Sequence, residues 1–218
     1  MVGNTVYAVI LFFSLLSIFR CLIIGGESIT SPKKYISFDV KISTSKALQP
    51  NGIDPIAFKA WFSQDSIPLS ILKLNPGLEK VEELGSQRYR GYLKPIAFPG
   101  LRVTSIIDFE TSFDPNKFEV ACNDGAIKQT FEGNKILIKV FSGLTPGVIS
   151  KTIWFVDPES GSLGNLSELQ IRFGVPSWFP FDASNSQRDG SSILQKSLEA
   201  DIDVLVNRIV DLYRNSEA

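Results

Sequence analysis

Ser192-Ile-Leu-Gln-Lys-Ser-Leu198-Glu-Ala-Asp-Ile202-Asp-Val-Leu205-Val-Asn-Arg-Ile209-Val-Asp-Leu212-Tyr-Arg214 is the stretch on which the fold turns. Leu194, Leu198, Ile202, Leu205, Ile209 and Leu212 recur at steps of three and four, so one helix carries them all along a single stripe. Ser192 to Gln195 matches a capping box, which sets the expected start of that helix at Ser192 and its end near Arg214. A stripe of this length cannot stay in water. Something upstream has to cover it, and the cover must itself have one apolar face.

The upstream sequence supplies such a face. Ile36-Ser-Phe-Asp-Val-Lys-Ile-Ser43 alternates strictly, with Ile36, Phe38, Val40 and Ile42 on one side, as a half-buried strand requires. Asp54-Pro55 then gives an N-cap followed by proline at the first helical position. A short helix over Ile56 to Phe62 follows, with Phe58, Trp61 and Phe62 on a common side. A second short helix spans about Pro68 to Leu74. Strand-like runs follow at Leu78–Leu84, Gln87–Leu93, Leu101–Phe113, Lys117–Asn123, Ile127–Phe131, Lys135–Phe141, Lys151–Val156 and Leu166–Val175. Turn signals such as Pro99-Gly100, Asp124-Gly125 and Asp157-Pro158 separate them, which is the rhythm of an antiparallel meander. The expected class is therefore α+β, a curved antiparallel sheet wrapped around the long C-terminal helix, with two short helices after the first strand. This is a helix-grip arrangement.

Residues 36–214 show no internal break, so they form one domain. Before them, Val6 to Phe19 is apolar or serine throughout, Arg20 interrupts, and Cys21 to Gly26 is apolar or glycine again. The uninterrupted part has the length of a signal-peptide core, and Gly25-Gly26 suits cleavage. Residues 1–26 read as a signal peptide, or as a signal anchor if they stay attached. Residues 27–35 read as a linker or short transit segment, rich in hydroxyl side chains and carrying Lys33 and Lys34.

Charge and composition remove several functions. The 218 residues carry 22 Lys and Arg against 23 Asp and Glu, a net charge of -1, so there is no basic field to draw the protein onto nucleic acid. There is no histidine, which removes Ser-His-Asp and Cys-His nucleophile activation and histidine zinc sites. Two cysteines, Cys21 and Cys122, are too few for a structural zinc centre, and no metal or other cofactor is expected.

The local sequence adds a resemblance. Arg88-Tyr-Arg-Gly-Tyr-Leu-Lys-Pro-Ile-Ala-Phe98, Leu101-Arg-Val-Thr-Ser-Ile-Ile107, Glu119-Val-Ala-Cys122, Val175-Pro-Ser-Trp178, and the run from Gly190 to Arg214 together resemble an uncharacterised cyanobacterial and plastid domain-of-unknown-function family. The order of elements resembles the START-like (SRPBCC) superfamily. The resemblance covers about residues 36–214. It implies a START-like fold in a photosynthetic or plastid-bearing lineage, and it brings no catalytic residues. With the leader, it implies entry into the secretory pathway and delivery to a plastid, as a soluble or membrane-associated protein.

Candidate chemistry is sparse. Asp108 and Glu110 point to one face of a strand as an acid/base pair would, though strand surfaces carry such charges routinely. Asn165-Leu-Ser167 is a glycosylation sequon. The 16 Phe and 3 Trp are more suggestive. Phe58, Trp61, Phe62, Phe109, Trp154, Phe173, Trp178 and Phe179 are candidates to wall an apolar cavity between sheet and helix, with its mouth near Val175–Phe181. Three functions stay open: binding of a lipid or pigment without catalysis at or near a plastid membrane; assembly or scaffolding of a membrane or photosynthetic complex; and a START-like cyclase or lyase. The expected partners are a hydrophobic small molecule and, in the second case, a membrane-complex protein.

Overall fold

The computed structural model describes residues 33–48, 52–114, 117–142, 147–157, 159–176 and 183–217. In chain order these form β1 (Lys33–Ala47), α1 (Pro55–Phe62), α2 (Ile67–Leu74), β2 (Leu78–Gly85), β3 (Arg88–Leu93), β4 (Ile96–Phe98), β5 (Leu101–Asp114), β6 (Lys117–Cys122), β7 (Ile127–Gly133), α3 (Lys135–Ser142), β8 (Gly147–Asp157), β9 (Ser162–Pro176) and α4 (Ala183–Glu217). The leader, residues 1–26, lies outside the described residues.

The strands pair antiparallel in the order β1-β9-β8-β6-β5-β3-β2. β5 is the spine: β3 and β4 lie along one edge of it, and β6 and β7 share the other. The alternation in β1 works as expected, since Ile36, Phe38, Val40 and Ile42 are all buried while Asp39 and Lys41 between them, and Tyr35 and Ser43 on either side, are exposed and Ser37 is half-buried. β1 lies beside β9 in register from Lys33↔Pro176 to Ala47↔Ser162. The inner face of the sheet receives α4, whose Leu194, Ile202, Leu205, Val206, Ile209 and Val210 are buried.

Two polar ties fix the helix lengthwise. Lys46 Nζ donates to Asn207 Oδ1, and Arg208 Nη1 donates to the Leu74 carbonyl at 2.8 Å, capping the end of α2. α1 starts where Asp54 Oδ1 accepts from the Ile56 N–H at 3.1 Å, and it packs on the far end of α4. There the Phe58 ring meets Tyr213 edge-on at 5.0 Å, and Trp61 meets the same tyrosine at 5.3 Å. The architecture is the helix-grip, START-like fold, with the two short helices closing one end of the grip.

Three local expectations need correction. Lys135 to Phe141 is a helix, α3, and not a strand. Asn134 caps it, its Oδ1 accepting from the Ile136 N–H at 2.9 Å, and this cap outweighs the strand-like alternation of Ile, Leu and Val. The long helix starts at Ala183, so Ser192 lies inside it and the capping-box match marks no boundary. Gly190 sits in that additional stretch because a Cβ there would stand 2.1 Å from Phe38 Cε1. The first strand begins at Lys33, so it takes in the end of the expected linker. No helix among the described residues is long and apolar enough to cross a membrane.

Candidate functional site

A cavity of about 120 Å³ lies between the inner face of the sheet and α4. Strand alternation decides which side chains reach it. On β6 these are Phe118 and Val120, on β8 Thr152 and Trp154, and on β9 Ser167; the register pairs Phe118 with Trp154, Val120 with Thr152, and Thr152 with Ser167. α4 contributes Leu198, Asp201, Ile202 and Leu205, one helical stripe, and α2 adds Ile71 and Leu72. Asn75 and Pro76, just after α2, complete the wall, and Asn75 is exposed.

The wall is mostly apolar, with Thr152, Ser167 and Asp201 as its polar members on the sheet and α4. Ser167 Oγ donates to Asn165 Oδ1 at 2.8 Å and stands 3.3 Å from Thr152 Oγ1. Asn165 is fully buried, and its Nδ2 has no hydrogen-bond partner among the described residues. The same holds for Ser197 Oγ and Asp201 Oδ1, which sit one helical turn apart on α4. Burial pushes the Asp201 carboxyl above the usual carboxylate range. Each such unpartnered buried atom costs about 1–3 kcal/mol, a sizeable penalty for a domain to carry three times over.

The aromatic candidates separate into different places. Trp154 is in the cavity wall. Phe58, Trp61 and Phe62 are buried against one another and Tyr213 at the closed end of the grip, and Phe109 stacks on Tyr89 at 6.0 Å on β5 and β3. Phe173 lies opposite Ile36 in the β1–β9 register. Trp178, Phe179 and the expected mouth near Val175–Phe181 fall on or beside residues outside those described. The sequon reading is corrected, because fully buried Asn165 leaves a glycan no room on the folded domain. Phe118, Thr152, Ser167 and Asp201 were not singled out from sequence. A signal for Asp201 was present, since it falls inside the apolar stripe between Leu198 and Leu205.

Outside the cavity the chemistry is surface chemistry. Arg90 Nε and Nη2 donate to the two oxygens of Asp108 at 2.7 and 2.8 Å, and this pairing holds the Asp108 carboxyl below its ordinary range. A carboxylate kept ionised by an arginine fork is a poor proton donor, which disposes of Asp108 and Glu110 as an acid/base pair. Cys122 is buried, and desolvation pushes its thiol up to about 11, so it is no ready nucleophile. No group of three or more acidic or cysteine side chains among the described residues could hold a metal. A wider, open groove of about 740 Å³ at the ends of β1, β8 and β9 is lined by Tyr35, Ser37, Asp124, Gly147, Arg172 and their neighbours. Among the described residues it has no buried unpartnered group, whereas the inner cavity has Asp201, so the inner cavity is the stronger candidate.

No known family profile and no curated protein sequence matches the chain. Among solved structures it is similar to a protein of unknown function from Staphylococcus aureus, at 9% identity and a TM-score of 0.45, over 84% of this chain and 98% of that one. A conserved protein from Geobacillus kaustophilus gives 12% identity and a TM-score of 0.41, over 82% and 96%. A START superfamily protein from Mycobacterium smegmatis gives 9% and 0.38, over 80% and 98%. The fold assignment rests on the order and pairing of the elements themselves.

Proposed function

We propose that this domain binds a hydrophobic ligand between its sheet and its long helix, without catalysing a reaction. The observation that carries this reading is the cavity bounded by Ile71, Leu72, Phe118, Val120, Trp154, Leu198, Ile202 and Leu205. Each ligand CH₂ moved there from water gains about 0.8 kcal/mol. The volume of about 120 Å³ is close to the roughly 150 Å³ that admits benzene, so it takes a small molecule or one end of a larger one. A whole lipid or pigment enters only if α4 moves away from the sheet. The leader-like residues 1–26 and the resemblance to the plastid family support a site of action at or near a plastid membrane, reached through the secretory pathway. Native mass spectrometry of the gently purified full-length chain tests the reading. A bound apolar mass that is released on activation is the expected result; a bare chain from every preparation counts against it.

A second reading, assembly or scaffolding without a small ligand, is favoured by the filled interior. Trp154, Phe58, Phe62 and Phe118 are each under 2% exposed, while Ile149 and Leu166 on the outer face of the sheet are 39% and 42% exposed. Co-purification of a stoichiometric membrane-complex protein, lost on Leu166→Glu, would favour it over the first reading.

A further inference from the structure

We infer that the cavity selects a ligand whose buried end is a small organic ammonium, held at Asp201, and that it rejects carboxylates. The inference rests on the ligand-binding reading above and specifies the ligand's chemistry. Among the described residues, Asp201 is the one ionisable side chain in the cavity wall, and its Oδ1 has no hydrogen-bond partner. An ionised carboxylate only accepts, so the missing partner has to be a donor. Among the described residues no lysine or arginine lines the cavity to supply a charged donor, and the Ser197 hydroxyl one turn away is neutral. The Trp154 and Phe118 rings belong to the same wall, and aromatic faces attract a cation that has lost its water. Thr152 and Ser167 hydroxyls offer further acceptor oxygens.

Asn165, fully buried beside Ser167, accepts the Ser167 hydroxyl hydrogen on its Oδ1 at 2.8 Å, which leaves the Ser167 oxygen, a member of the cavity wall, to act as an acceptor toward an ammonium. A fatty-acid carboxylate entering head-first would meet Asp201 as a like charge at a half-buried position. An alkylammonium would neutralise it and offset the burial that raises the Asp201 carboxyl.

Three probes with the same four-carbon body decide the matter: n-butylammonium, n-butanol and n-butyrate, each titrated calorimetrically into the full-length chain and into Asp201→Asn. The expected result is that butylammonium binds the wild type at least about tenfold more tightly than butyrate or butanol. Asp201→Asn should erase that preference while thermal unfolding shows the domain still folded. Equal binding of the three, or a preference that survives Asp201→Asn, overturns the ammonium assignment and leaves ligand binding standing. Failure of all three to bind overturns both.

Discussion

Gly190→Ala makes a demanding test of how closely the long helix lies on the sheet. A Cβ built at Gly190 stands 2.1 Å from Phe38 Cε1, 2.6 Å from Cδ1 and 3.2 Å from Cζ. Ordinary carbon contact begins near 3.5 Å, so the ring or the helix must give by about 1.4 Å. Phe38 has little freedom to yield, being 9% exposed in β1 between Ile36 and Val40 and opposite Ile171. Overpacking of this kind costs about 1–3 kcal/mol. Against it, alanine is about 1 kcal/mol better than glycine in a helix interior. The net expectation is a loss of up to about 2 kcal/mol, with the sign reversed once the ring is gone. In a Phe38→Val background, Gly190→Ala should stabilise by about 1 kcal/mol, giving a coupling of about 1–3 kcal/mol in the double-mutant cycle. Urea denaturation followed by tryptophan fluorescence measures all four proteins. A Gly190→Ala substitution that stabilises the wild type as much as it stabilises Phe38→Val would show that helix and strand do not touch there.

Ile209→Ala, at a fully buried position on α4, should cost about 2–5 kcal/mol, whereas exposed Asp203→Ala should stay within about 0.5 kcal/mol; equal losses in urea would place the stripe on the wrong side. The β2–β3 turn holds Ser86 and Gln87 at φ of 51° and 60°, so Ser86→Asn with Gln87→Gly should stabilise by about 1 kcal/mol, and a drop in urea midpoint would show another turn geometry. Burial raises the Asp201 carboxyl, so ionisation is harder in the folded state than in the unfolded one. The folded state is therefore unpenalised below the unfolded pKa and loses stability as pH rises toward the raised folded value. Asp201→Asn should melt like the wild type at low pH and above it near neutrality, and a difference that is constant with pH would mean the carboxyl is not the cause.

Much of this architecture can be read from periodicity, because the two periods at work are long and clean. Ile36 to Ile42 and Leu194 to Leu212 each declare a face, and a meander of turns between them leaves few ways to pack the two. α3 is less legible: Lys135 to Phe141 alternates well enough for a strand, and a single side chain, Asn134, decides otherwise by capping. The start of α4 is obscured for a related reason, as Gly190, Ser191 and Ser192 look like a helix end when only local signals are weighed. Their tolerance comes from the sheet face that Gly190 lets the helix approach. The cavity was legible only in outline. Density of aromatic rings pointed to Phe58, Trp61 and Phe62, but rings fill space wherever they fall, and these fill the end of the grip against Tyr213. The sequence signal for the polar part of the wall is Asp201, a carboxylate inside the apolar stripe between Leu198 and Leu205.

The pairing of the first strand with the last sets a timetable for synthesis. Between Ala47 and Ser162, the innermost partners of β1 and β9, lie about 114 residues. At about 5–20 residues per second the ribosome spends roughly 6–23 s making them. Throughout that interval β1 has neither its neighbouring strand nor the helix that covers Ile36, Phe38, Val40 and Ile42. The nascent chain therefore presents an alternating, four-residue apolar edge for many seconds, a template on which another emerging copy can pair. Exposed Asp39 and Lys41, set between the apolar positions, are the charges that guard it, and crowding on a polysome is the setting in which their loss would be felt first.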